Sequence, residues 1–399
     1  MSEAAKPSGG VGARLFQPLR IRGLDLANRI VISPMCQHAA DDRRATDWLL
    51  VHLGKFVLGG AGLVLTESTA VSPEGRIGLK DLGLWRDDQI APLARVVDFV
   101  HAQGGRIGVQ LAHAGRKAGS EALWEGGRAF SAEQLAALRW PRLGPSAISP
   151  GPGWTVPQEL DAAGIARVLQ GFGDAARRAD AAGVDCVELH FGHGYLAASF
   201  LSPISNHRND AYGGSLANRM RLPLDIARTV REALPANKPL FCRISAVDGA
   251  EGGWGMDDSV VFARELAAVG VDVIDVSSGG LSEETRALPV PRGLGFQVGF
   301  AETIRRETGL LTQAVGMIVD GPQAEDILAR GQADLIAIGR AALEDPYWPR
   351  RAWEQLHGTS DFATWPVRHG IWLAKREQGL GSLLEARRRE LRTRSDSGH

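Results

Sequence analysis

The sequence predicts an α/β fold, a (β/α)8 TIM barrel with an N-terminal hairpin and a long loop after the third strand. Three observations predict it. Eight short apolar runs of strand length recur along the 399 residues, most of them introduced by a glycine able to close the preceding helix in a left-handed conformation. Amphipathic helical stretches alternate with these runs, which implies parallel strands joined by right-handed crossovers. No Gly-rich loop shows, after a strand, the G-x-G-x-x-G spacing that an open dinucleotide-binding sheet would carry.

Residues 1–13 are small and Gly-rich and are expected to be disordered. Residues 14–350 are expected to form the barrel and 351–399 a C-terminal extension without a barrel unit of its own. Two short extended pieces, 15–21 and 23–26, meet at Arg22-Gly23 and read as a hairpin plugging one end of the barrel. The first strand is the apolar run 28–33, stopped by Pro34. The next runs are 63–67 after Gly62, 106–111 after Gly105, and 184–189 after Gly183. The fifth, 239–245, follows Pro235 and opens on Pro239 instead; 271–277, 310–316 and 332–339 follow Gly270, Gly309 and Gly331. Between the third and fourth strands, Ile165, Val168, Leu169, Phe172, Ala176 and Ala179 share one face of a helix. The stretch 117–161, with Trp124, Trp140 and Trp154, is long enough to be a functional loop or lid.

Composition narrows the function. Lys+Arg of 45 against Asp+Glu of 46 leaves a net charge of −1, so no global field favours nucleic acid or a membrane. The one basic cluster, in 387–394, reads as a solvated helix end or loose tail. Cys36, Cys186 and Cys242 are too few and scattered for a disulfide framework or a four-cysteine zinc or iron–sulfur site. With no secretory signal and no long apolar run, a cytoplasmic protein is expected.

Barrel enzymes keep their chemistry at the C-terminal ends of the strands. Here those ends carry Ser33-Pro34-Met35-Cys36, then Ser68, then Gln110, then His190 with His193 and Tyr195. The remaining ends carry Arg243, Ser277-Ser278-Gly279-Gly280, Gly316, and Gly339-Arg340. Glycines after the last two strands, with an arginine beside them, suit a phosphate. The His190-x-x-His193 pair could ligate zinc, but no third ligand stands at a telling spacing and H-E-x-x-H is absent, so no metal site is expected. Two neutral imidazoles can instead donate hydrogen bonds to one carbonyl or phenolate oxygen, beside a phenol able to act as general acid. A purely structural histidine pair remains open on spacing alone.

Longer stretches carry a resemblance. They are LFQPLRIRGLDLANRIVISPMC (15–36), TESTAVSPEGRIGLKDLGLW (66–85), IGVQLAHAGRKA (107–118), HFGHGYLAASFLSPISNHRNDAYGGSLANRMR (190–221), FCRIS (241–245), EGGW (251–254), DVSSGG (275–280) and IAIGRAALEDPYW (336–348). Through them the chain resembles the Old Yellow Enzyme family of FMN-dependent ene-reductases, in its thermophilic-like or xenobiotic-reductase subclass. The resemblance implies FMN across the barrel mouth, its phosphate on Gly316, Gly339 and Arg340, and Gln110 and Arg243 at its pyrimidine end. Ser33, Pro34, Met35, Cys36 and Ser68 would flank the ring, with Cys36 tuning its potential. His190 and His193 would bind the substrate carbonyl oxygen and Tyr195 would protonate the α-carbon. The implied reaction is ping-pong: NADPH or NADH reduces FMN, and flavin N5 passes a hydride to an activated alkene such as an unsaturated ketone, aldehyde, maleimide or nitroalkene. A homo-oligomer, dimer or tetramer, is implied as well, with Trp365, Arg368 or Trp372 as residues that could reach a neighbouring subunit. Two departures bear on substrate scope. His38 stands where the subclass has a substrate-side tyrosine, expected to make the pocket shorter and more polar, and Asp47-Trp48-Leu49 replaces its Asp-Trp-His. A metal-dependent barrel lyase or hydrolase and a non-catalytic flavin carrier are the alternative readings.

Overall fold

Eight parallel strands close into a barrel in the computed structural model, which describes residues 12–282, 290 and 292–396. The expectation of disorder over 1–13 therefore falls mostly outside the described residues. Before the barrel, β1 (Leu19–Ile21) and β2 (Leu24–Leu26) form the antiparallel hairpin. The barrel strands are β3 (Ile30–Ile32), β4 (Leu63–Ala70), β5 (Ile107–Ala112), β8 (Cys186–Phe191), β9 (Leu240–Ser245), β10 (Val273–Ser277), β11 (Leu311–Ala314) and β12 (Leu335–Ile338). They follow one another around the ring in chain order, and β12 closes onto β3. The loop after β5 holds the small pair β6 (Leu143–Gly144) and β7 (Gln158–Glu159).

Most of the predicted strands shift by a residue or two, for visible reasons. The fourth run begins at Cys186 instead of 184, because Val184 N–H still bonds back to Ala179 in the preceding helix. The Asp185 carboxylate is meanwhile taken up by the Ile107 N–H at 2.8 Å. The strand then continues to Phe191, because His190 and Phe191 still pair with Arg243 and Ile244. Gly309 ends its helix in the left-handed region at φ 73°, which a residue with a Cβ would enter only under strain.

Two apolar layers enclose the strands. Outside, Phe56, Phe172, Phe191 and Phe262 pack between strands and helices, each burial stabilising by about 1.5–3 kcal/mol. Inside, Val31, Leu63, Leu65, Cys186, Phe241, Val273 and Leu335 fill the lower barrel and pack on Ile21, Leu24 and Leu26 of the hairpin, which forms the floor. Arg22 Nε donates to Asp272 at 2.7 Å and Gly23 N–H to Asn237 at 2.8 Å, latching that floor in place. Space there is tight: a Cβ on Gly108 would lie 2.5 Å from Cys186 Sγ.

The long loop is pinned from within by Arg142, whose Nε donates to Ala118 O at 2.7 Å and whose Nη2 donates to Gly119 O at 2.9 Å. At the far end of the chain, helix Trp348–His357 rests on helix Gly321–Ala329, where Trp348 Nε1 donates to Val319 O at 2.8 Å. Helix Val367–Asp396 follows, largely exposed. No helix among the described residues is long and apolar enough to cross a membrane.

Candidate active site

The last residues of β8 and the loop after it bring three rings together. His190, still in the strand, points to the barrel mouth; the rings of His193 and Tyr195 lie 5.0 and 5.1 Å from it, both edge-on. The turn that does this is unusual backbone. His193 has φ 58°, and its N–H is held by Ser245 Oγ at 2.9 Å. Gly194, at φ 72°, has no room for a side chain, since a Cβ would come within 2.5 Å of Gly280 O. Lys117 Nζ donates to His193 O and Gly280 O, both at 2.8 Å, and sits 5.4 Å above the Tyr195 ring.

A consistent proton arrangement runs through the pair. Gly192 N–H approaches His190 Nδ1 at 3.4 Å, which assigns the ring hydrogen to Nε2. His190 Nε2 faces His193 Nδ1 at 3.3 Å, and His193 Nε2 then donates to Ser277 Oγ at 2.7 Å. Burial, with Arg243 and Lys117 nearby, holds both imidazoles well below their ordinary value of 6.5. They are therefore neutral at pH 7 and serve as hydrogen-bond donors without carrying charge.

Arg243 crosses the mouth. It rises from β9, and its Nη1 donates to Ser33 Oγ at 3.1 Å, beyond β3 on the opposite side of the ring. Gln110 on β5 donates through Nε2 to Glu188 Oε1 at 2.8 Å. An irregularity in β4 between Leu65 and Ser68 re-registers the strand, setting Ser68 opposite Gln110. The turn Ser33, Pro34, Met35, Cys36 lies against Gly339, whose Cβ position would be 3.8 Å from Met35 Sδ. Burial, with Asp81 and Glu67 adding repulsion, pushes the Cys36 thiol well above its ordinary value, so it is a thiol and not a thiolate.

On the neighbouring strand ends, Gly316 has φ 116°, and a Cβ there would lie 2.7 Å from Gln297 Nε2. Arg340 Nη2 reaches Met317 Sδ at 3.6 Å, bringing Gly316 and Gly339-Arg340 to one place. His38 stands apart from these groups, at φ 47°, its ring edge-on to Trp124. Its Nδ1 meets Asp81 Oδ1 at 2.6 Å, while Asp81 Oδ2 accepts from Ile77 N–H and Gly78 N–H at 2.6 and 2.9 Å. Burial opposes a charge on His38, but the hydrogen bond and charge of Asp81 outweigh it and raise its pKa above 6.5. Glu67 accepts from the N–H groups of Gln37 and His38, and burial with the Asp81 charge lifts it to about 7.

Several residues of this region escape a reading of the sequence. Asp81 and Glu67 lie within the quoted stretch 66–85 but carry no assigned role there, and Gln297, which joins Ser278 Oγ to Val315 O, comes from a loop. Glu188 and Asp275 left a faint signal, each being an acid well inside an apolar strand run. Among the described residues no group of three or more His, Cys, Asp or Glu could hold a metal ion.

The site suits a flat heteroaromatic ring with a phosphate tail. Arg243 is 8% exposed and reaches Ser33 from the opposite side of the ring, Ser68 stands opposite Gln110, and Gly316 and Gly339-Arg340 come together beside them. Comparisons with known proteins show the family. A model of the NADH:flavin oxidoreductase / NADH oxidase family matches residues 14–358. An NADPH dehydrogenase from Geobacillus sp. (strain WCH70) is 43% identical over 348 residues, 86% of this chain and 95% of that protein. A solved 2-naphthoyl-CoA reductase complex matches with a TM-score of 0.77 over 86% of this chain. At 24% identity and with 52% of that longer chain covered, this is a likeness of fold alone. Morphinone reductase matches with a TM-score of 0.72 at 26% identity, covering 88% of this chain and 92% of its own.

Proposed function

Because the chain belongs to the Old Yellow Enzyme group within the NADH:flavin oxidoreductase / NADH oxidase family, we propose that it is an FMN-bearing NAD(P)H oxidoreductase that reduces activated C=C bonds. The observation that carries the reading is the meeting of two neutral imidazoles and a phenol at the barrel mouth. FMN, when bound, would supply hydride chemistry, taking the hydride from NADPH or NADH and giving it up at N5. Gln110, Arg243, Ser33 and Ser68 would hold the ring, with Pro34, Met35 and Cys36 along it and Gly316, Gly339 and Arg340 at the phosphate.

The chain's own groups then act on the alkene. His190 turns its N–H donor from His193 Nδ1, and His193 its own from Ser277 Oγ, toward the carbonyl or nitro oxygen, stabilising negative charge as it develops there. Tyr195, edge-on to His190, delivers its phenolic proton to the α-carbon. The assembly proposed is a homo-oligomer; the exposure of Ile371 and Trp372 on helix Val367–Asp396 supports it, and light scattering reads its order.

Purified protein should be yellow, bleach on anaerobic titration with a reduced nicotinamide, and regain colour with a cyclic enone. In Tyr195→Phe, bleaching should persist while enone turnover drops by about 10²–10⁴-fold. Colourless protein unable to take up FMN would sink the proposal, and full enone turnover in that variant would remove Tyr195 from its role.

A further inference from the structure

Beside Gln110 and Arg243, the barrel encloses polar side chains that the proposed chemistry leaves unused. Glu188 on β8, Asp275 on β10 and Gln313 on β11 have no exposed surface. Strand pairing sets their level: Gln110 lies opposite Glu188, Arg243 opposite Asp275, and Asp275 opposite Gln313. Partners are too few. Arg243 Nε stands 3.4 Å from Asp275 Oδ2 without hydrogen-bond alignment, and Glu188 Oε2, Asp275 Oδ1 and both amide atoms of Gln313 have none. Gln313 leans toward Asp275 and favours its charged form, but too loosely for an aligned bond.

The charges do not balance if every group is ionised. Two carboxylates would face one guanidinium, whose other end is already committed to Ser33. A surplus carboxylate with an oxygen that no protein group bonds is costly in a buried interior, and taking up a proton relieves that cost. The remaining neighbours offer no further charge. Cys186 on β8 and Cys242 on β9 feel both burial and these acids and are held as neutral thiols, His190 two residues along is neutral, and Gln110 and Gln313 carry none.

We propose that Glu188 and Asp275 share one proton, and that Glu188 is a positioning residue whose protonation sets which end of the Gln110 amide faces the barrel mouth. An ionised Glu188 accepts from the Gln110 NH2 and leaves the amide oxygen for the mouth. A protonated Glu188 donates its O–H to the amide oxygen across the same 2.8 Å contact and turns the NH2 outward. At pH 7 the second state prevails, because burial and the Asp275 charge raise Glu188, while Arg243 at 3.4 Å favours the charge on Asp275. The outward NH2 is a donor facing the place where a reduced flavin would carry negative charge. That last step rests on the FMN reading above; the shared proton does not.

Infrared spectroscopy of the purified full chain tests the proton directly. The parent at pH 7 should show C=O stretches of protonated carboxyls, shifted in D2O, and Glu188→Gln should remove one of them, leaving that of Glu67 in place. Asp275→Asn should remove the same one, since either change leaves one carboxylate facing one guanidinium, and this second variant serves if the first does not fold. In the FMN-loaded protein, the midpoint potential followed across pH should bend above the ordinary carboxyl range in the parent and run without that bend in Glu188→Gln. Absence of the parent bands at pH 7, a set of bands untouched by both substitutions, or the same bend in parent and variant would overturn the proposal. The infrared arm needs no flavin, so a chain that takes up no FMN would defeat the functional reading and still leave this one decided.

Discussion

Replacing Asp81 with asparagine should deprive His38 of its charge. The imidazole is held by one carboxylate oxygen at 2.6 Å, in a setting where burial alone would keep it neutral. A hydrogen bond to a charged partner is worth about 1.5–3 kcal/mol, and each pKa unit corresponds to about 1.36 kcal/mol. The His38 pKa should therefore fall by about one to two units in Asp81→Asn. The sign of the stability effect follows. A raised folded-state pKa means that the pair's stabilisation is fully present below the unfolded value of about 6.5. It is lost as pH rises through the higher folded value, so the variant's deficit is largest in mild acid. Glu67 works in the same direction, because losing the Asp81 charge relieves its burial strain once it ionises above about pH 7. NMR titration of histidine Cε1–H signals, with His38 assigned by its absence in His38→Gln, measures the shift. A parent midpoint at or below 6.5, or equal midpoints in the two proteins, would refute the pairing.

Gly316→Ala would place a Cβ at φ 116° and 2.7 Å from Gln297 Nε2. Strain of about 1–3 kcal/mol should weaken FMN binding about 5–150-fold; fluorescence titration of apoprotein reads it, and unchanged affinity would remove Gly316 from the cradle. The raised Cys36 thiol should alkylate with iodoacetamide at pH 7 more slowly than a cysteine peptide, by about tenfold per unit of the rise. Mass spectrometry follows the reaction, and a rate equal to the peptide's would contradict the shift. Gly108→Ala should cost about 1–3 kcal/mol of stability by overpacking against Cys186 Sγ at 2.5 Å and Leu65 Cδ2 at 2.6 Å. A lower urea midpoint in the single variant, partly restored by adding Cys186→Ala, is the expected pattern, and a midpoint equal to the parent's would show that the floor has slack.

The ring of strands was legible because glycine closes most of the helices and the strand that follows is apolar throughout. That alternation is local chemistry, written residue by residue. Groups at strand ends were legible for the same reason: the barrel decides where His190, Arg243 and Gly339 point once their strands are known. Pairings across the ring were not. Nothing near Arg243 in the chain announces Ser33, which is 210 positions away, and nothing near His38 announces Asp81. Glu188 and Asp275 were hidden differently. An acid inside an apolar run signals either an edge exposed to water or a buried charge with partners, and only the three-dimensional placement separates the two.

Closing the ring by pairing β3 with β12 also governs how the chain can be made. β3 ends at Ile32 and its last neighbour begins at Leu335. A ribosome adding roughly 5–20 residues per second needs about 15–60 s to span that interval. Until then a nascent chain has two bare strand edges, one on β3 and one on whichever strand emerged last, each a template for pairing with another chain. The hairpin's anchors at Asn237 and Asp272 also arrive late, so the floor cannot be latched while the first strands leave the exit tunnel. Transcripts cut short before residue 335 would yield open-edged products prone to co-aggregate with full-length nascent chains.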